Sequence, residues 1–159
     1  MNQQYTPLGS LQGENSYTYF LKFSVAAQAN DRVYLAMDSA IDAAKIVGIE
    51  THVHIPFLNY DFGPIVQIDG ITYNVITFAE LRAMTLTLVD KTRRQCLSQY
   101  PFTGLYNAPA AFSIPQKAKQ FRKFDLDILS GESYVTFNFA STVAAPFVAP
   151  ITFYFNDKK

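Results

Sequence analysis

Apolar side chains recur at alternate positions through most of the chain, the period of a strand with one buried face. Tyr17, Tyr19, Leu21, Phe23 and Val25 share one side of a first run, against Thr18, Lys22 and Ser24, with Phe20 as the exception. Asn30-Asp31 marks a turn into a short strand over residues 32–35. Val47, Ile49, Thr51, Val53 and Ile55 then alternate with Gly48, Glu50, His52 and His54, and this strand is expected to run to Pro56. Asp69-Gly70 sits between two β-rich runs within residues 65–75, the chemistry of a two-residue hairpin turn that needs positive φ. Strands are also expected over 85–89, 94–98, 121–128, 133–139 and 151–155, with a hairpin at Asp90-Lys-Thr-Arg93 and a stop at Tyr100-Pro101.

Helical signals are brief. Residues 38–45 are Ala-rich behind an N-cap candidate, Asp38, and Thr77-Phe-Ala-Glu80 reads as a capping box before Leu81. Both are too short to stand alone and predict helical turns set among strands. Residues 107–116, with Pro109 and Pro115, read as a long loop. Without crossover helices a parallel α/β sheet is excluded. The expected fold is all-β: an antiparallel β-sandwich, a single jelly roll of about eight or nine strands with one or two short helical turns. Residues 1–16, rich in Gln, Asn and Gly, read as an extended or disordered N-terminal arm, and 17–159 as one sandwich domain.

Composition narrows the function classes. The chain has 159 residues, 49% of them hydrophobic, 16% charged and 15% aromatic, with 14 Phe and 10 Tyr, which excludes disorder and fits a single core. Thirteen Lys and Arg balance 13 Asp and Glu, so no global field draws the chain to nucleic acid or anionic lipid. The single cysteine, Cys96, forbids an intrachain disulfide, and residues 1–16 lack the cationic and apolar regions of a signal peptide. Residues 133–156 carry no charge, yet Pro146, Pro150, Asn138 and the alternation at both ends predict strands joined by a Pro-containing loop rather than a membrane helix.

Candidate chemistry is sparse. Glu50, His52 and His54 project from one face if their strand is regular, and a His-x-His pair with a neighbouring carboxylate can hold zinc, iron or copper. This arrangement resembles the first half of the metal motif of cupins. The likeness stops at Ile55-Pro-Phe-Leu-Asn-Tyr60, where cupins carry a further Glu, and the chain has no third histidine. The expectation is therefore a polar surface row, with no cofactor and no catalytic group. Cys96 lies in an alternating run and reads as a small packed residue. Neither a nucleophile elbow nor a Gly-rich phosphate loop occurs. Lys117, Lys119, Arg122 and Lys123 form a local basic cluster interleaved with Phe121 and Phe124, a candidate contact for nucleic acid or anionic lipid if the rings are not packed in the core.

The run from Thr85 through Asp90-Lys-Thr-Arg93 to Tyr100-Pro-Phe-Thr-Gly-Leu105, and the closing runs Phe124 to Phe139 and Ile151 to Phe155, resemble strands of the single jelly-roll capsid and penton-type proteins of tailless icosahedral phages. The resemblance implies a non-enzymatic virion subunit, assembled in the host cytoplasm. It would join copies of itself, as a cyclic oligomer with a pentamer favoured, and other capsid proteins through sheet edges, loops and the arm. Tyr5, Tyr60, Tyr100 and Tyr106, expected in arm and loop positions, are the candidate interface anchors, since aromatic side chains dominate such contacts. The alternative is a carbohydrate- or receptor-binding β-sandwich module.

Overall fold

The computed structural model describes residues 5–7, 15–23, 32–55, 62–106, 120–122, 124–137 and 146–157. In chain order the strands are β1 (Tyr5–Pro7), β2 (Asn15–Phe23), β3 (Arg32–Tyr34), β4 (Ala44–Thr51), β5 (Ile65–Ile68), β6 (Ile71–Val75), β7 (Met84–Val89), β8 (Gln95–Pro101), β9 (Gln120–Arg122), β10 (Tyr134–Phe137) and β11 (Phe147–Asp157). Two short helices, α1 (Ser39–Ala43) and α2 (Phe78–Leu81), interrupt them.

The turns form where local chemistry favours them. Asp69 and Gly70 adopt φ of 53° and 79°, so β5 and β6 close with Ile68 opposite Ile71. Asp38 caps α1, its Oδ1 accepting the N–H groups of Ala40 (2.9 Å) and Ile41 (3.3 Å). Glu80 Oε2 accepts the Thr77 N–H at 3.1 Å and also the Thr77 hydroxyl, and the Thr77 side chain accepts the Glu80 N–H in return, the reciprocal capping box of α2. At the β7–β8 hairpin Asp90 Oδ1 accepts from Thr92 Oγ1 (2.6 Å), the Thr92 N–H (2.9 Å) and the Arg94 N–H (3.1 Å). Those donors, the Thr92 hydroxyl foremost, hold the Asp90 carboxyl below the usual carboxylate range.

The strands build two sheets. One runs β3-β10-β7-β8, and the other β2-β11-β6-β5 with β4 also paired to β11. The antiparallel pairs nest along the sequence. β2 pairs with β11, β3 with β10, β4 with the segment around Leu126, and β7 with β8. Ile46 and Leu126 exchange both backbone bonds, at 2.8 and 3.0 Å. The β5–β6 hairpin is inserted between the third and fourth members of this series, and β6 lies parallel to the start of β11. β1 and β9 form a separate two-stranded ladder, so part of segment 1–16 is strand, and β2 starts two residues before the expected boundary at Tyr17.

Between the sheets Phe23, Phe137 and Phe147 cluster, with ring centroids 4.4 Å (Phe23–Phe137) and 4.3 Å (Phe23–Phe147) apart, among fully buried Leu21, Ile46, Leu86, Ile151 and Phe153. Each such side chain contributes about 1.5–3 kcal/mol by leaving water. A smaller apolar cluster covers the far side of the second sheet: Tyr73, Val75 and Val148, flanked by Phe20, Phe62, Val66 and Ile68.

The strand expected over 121–128 is strand only at Phe121 and Arg122 among its described residues, with isolated bridges at Leu126 and Ile128, and two expectations at the ends of other strands are also corrected. β4 stops at Thr51 rather than at Ile55, and β11 starts at Phe147 and runs through Pro150, which the sequence suggested as part of a loop. The two facts are one. Ile151 lies opposite Thr51, so the next residues to face each other are Pro150 and His52. The His52 N–H reaches the Pro150 carbonyl at 3.2 Å. The return bond needs an N–H that proline lacks, and the ladder ends there. β6 takes over the same edge of β11, the Ile76 N–H bonding to the Val148 carbonyl at 3.1 Å.

Candidate functional site

On the outward face of the second sheet, register aligns polar groups from three strands. Thr152 of β11 faces Glu50 of β4 on one side and Thr18 of β2 on the other. The two threonine hydroxyls are 3.0 Å apart, and Thr152 Oγ1 shares a 2.7 Å hydrogen bond with His52 Nε2. The Tyr154 hydroxyl donates to Glu50 Oε1 at 3.2 Å, and the same oxygen lies 3.7 Å from His52 Nε2. Although this face points away from the main core, Glu50 is 4% and Thr152 7% exposed, and the His52 ring lies 5.2 Å from that of Phe62. A carboxylate this buried depends on such partners, because losing them strands a charge away from water.

This geometry settles where the three candidate ligands go. Glu50 and His52 meet, but His54 turns to another neighbour: its Nδ1–H donates to the Phe62 carbonyl at 3.0 Å, and its own N–H to the Ile76 carbonyl at 2.8 Å. The regular alternation that would align all three ends with β4. Among the described residues no three His, Cys, Asp or Glu side chains converge on one point. Glu50 Oε1 and Thr152 Oγ1 both approach Nε2 of His52. The row acts as a three-strand clasp.

The candidate interface tyrosines separate. Tyr60 lies outside the described residues, and Tyr5 sits in β1 opposite Arg122. Tyr100 falls within β8 rather than in a loop, half-buried against the core, and a Cβ on Gly104 would come within 2.8 Å of its Cε1. Tyr106 follows the 3₁₀ turn Phe102–Leu105 and is also half-buried, its ring edge-on to Phe78 at 5.1 Å. Of the basic cluster, Lys117, Lys119 and Lys123 lie outside the described residues and Arg122 is in β9. Phe124, one of the two interleaved rings, packs in the main core. Cys96 is half-buried with its Sγ 3.4 Å from the Leu88 carbonyl, and burial pushes its thiol up, so it stays protonated at neutral pH.

Alternation does not single out the large apolar side chains exposed among the described residues, Tyr34, Met37, Ile65, Ile71 and Phe78, and Tyr17, which it places on the apolar face of the first strand, is exposed as well. Tyr34 faces Tyr134 across β3 and β10 with centroids 5.4 Å apart, and the Arg32 guanidinium lies 4.6 Å over the Tyr134 ring. Phe78, Leu81, Arg82, Thr103 and Tyr106 line a groove of about 450 Å³ beside α2. No helix among the described residues is long and apolar enough to cross a membrane. No protein-family model matches the chain, and neither a curated protein nor a solved structure is significantly similar to it.

Proposed function

We propose that this chain is a structural virion subunit: a single jelly roll that assembles with copies of itself into a closed ring, a pentamer at a capsid vertex, alongside other capsid proteins. The observation that carries the reading is the nested pairing of β2 with β11, β3 with β10, β4 with the Leu126 segment, and β7 with β8. A chain folded back on itself as one long hairpin and then rolled would give this order, which supports the jelly-roll reading, and capsid subunits are among the proteins built that way. The surface adds support. Ile71 is 47%, Phe78 39% and Tyr34 53% exposed on a molecule of zero net charge, and apolar and aromatic surface without charge repulsion favours extended protein contact.

Native mass measured by light scattering across a concentration series tests the proposal. Pentamers or larger closed species are expected, and a chain that stays monomeric at millimolar concentration overturns it. The Tyr34, Tyr134 and Arg32 cluster favours a second reading, a carbohydrate- or receptor-binding module, because an exposed ring beside an arginine offers a stacking platform with a hydrogen-bond donor. Saturable binding in a glycan panel that Tyr34→Ala abolishes would support this reading, and flat isotherms would remove it.

A further inference from the structure

We propose that the β5–β6 hairpin tip, Ile68-Asp69-Gly70-Ile71, seats in the groove beside α2 of a second copy of this chain, with Asp69 against Arg82. The proposal rests on the shell-subunit reading and specifies its contact. The tip is built for insertion. Its two-residue turn is fixed by the positive φ of Asp69 and Gly70, Ile68 and Ile71 face each other across it, and Ile71 is half exposed although it begins a strand. A preformed apolar tip loses little freedom on docking.

The groove complements it. Phe78, Leu81 and Tyr106 supply apolar lining, Thr103 a hydroxyl, and Arg82 a cation. Arg82 Nε donates to the Phe78 carbonyl at 3.2 Å, which ties the arginine to the end of α2 at the groove. Asp69 and Arg82 are both exposed, and among the described residues neither takes part in an ion pair, unlike Lys45–Asp125, His52–Glu50 and Arg93–Glu132. An acid at an apolar tip and a base at an apolar groove, neither in an ion pair among the described residues of its own copy, are complementary in sign and in surface.

A copy cannot satisfy itself in this way. The five residues of β6 separate the tip from the approach to α2, a span of about 16 Å of extended chain. The tip of one copy therefore meets the groove of the next, a head-to-tail contact that generates a ring when its rotation closes.

The test uses the full chain and reads the concentration at which it assembles, by light scattering, for D69K, R82D and the combined D69K/R82D charge swap. Each single variant is expected to raise that concentration about tenfold or more, and the swap to restore it to within about threefold of the unmodified chain. D69N, whose side chain tolerates positive φ and so keeps the turn, is expected to weaken assembly in the same direction, and I71E to abolish it. Thermal melts of each variant separate lost assembly from lost folding. An unmodified chain that assembles while these variants behave like it, or a swap that restores nothing, overturns this contact and leaves the shell reading standing. An unmodified chain that never assembles overturns both.

Discussion

Thr152 illustrates how much of the second sheet's cohesion passes through one hydroxyl. It is bonded to His52 on one side and adjoins the Thr18 hydroxyl on the other, within a row that also contains Glu50 and Tyr154. Replacing it with valine keeps the branched shape and the strand preference but leaves the imidazole and the second hydroxyl without that partner. The expected loss for T152V is about 1–3 kcal/mol, because the polar groups left behind still bear their desolvation cost. In thermal unfolding that is a fall of about 2–4 °C per kcal/mol for a chain of this size. T18V removes one end of the same row, so T18V/T152V is expected to lose less than the two single variants added together. A T152V chain that melts with the unmodified protein would show that the row contributes nothing to stability.

At the scale of elements, Pro150 decides where β4 ends. P150A supplies the missing N–H opposite His52, and the ladder is expected to extend by one pair. Hydrogen exchange followed by NMR checks this: the new amide at position 150 should exchange slowly, as should the His52 amide that bonds to the carbonyl at 150. Exchange at position 150 at the rate of an unstructured peptide would mean that something else ends β4. The same proline marks the limit of what the sequence makes legible. The turn at Asp69-Gly70, the cap at Asp38 and the box at Thr77 and Glu80 rest on residues within three positions of one another, and all three are readable in the sequence and present in the fold. The end of β4 depends on a residue far along the chain, met only through register, and the local alternation through His54 points past it. Pro150 itself reads as a breaker because a proline is harmless in a strand only where its absent N–H faces the end of a neighbouring ladder. The candidate site divides in the same way. Glu50 and His52 are visible as a polar pair on one strand, but Thr18, Thr152 and Tyr154 join them only after β2, β4 and β11 are laid side by side, and nothing local to those residues signals it.

For the whole molecule, the nested pairing puts the final strand at the centre. β11 lies against β2 along residues 147–155 and against β6 and β4 in turn on its other edge, while its inward side chains, Phe147, Ile151 and Phe153, reach the main core. The partners β2 and β4 come from early in the sequence, so the second sheet closes only when chain segments widely separated in sequence meet, an ordering that makes folding slow. Without β11 the remaining strands would expose the apolar faces of both sheets and the unpaired edges of three strands, β2, β4 and β6. A chain ending at residue 146 is therefore expected to lack a cooperative thermal transition and to bind the dye ANS, as collapsed chains without fixed packing do. A synthetic peptide of residues 146–159, added in trans, supplies the same hydrogen-bond ladders and apolar side chains without the covalent link. It is expected to restore a cooperative transition whose midpoint rises with peptide concentration, by strand addition to the open edges. A truncated chain that unfolds cooperatively by itself would show that the first sheet and its core form a self-sufficient unit, and that β11 is an accessory to the sandwich rather than its closing member.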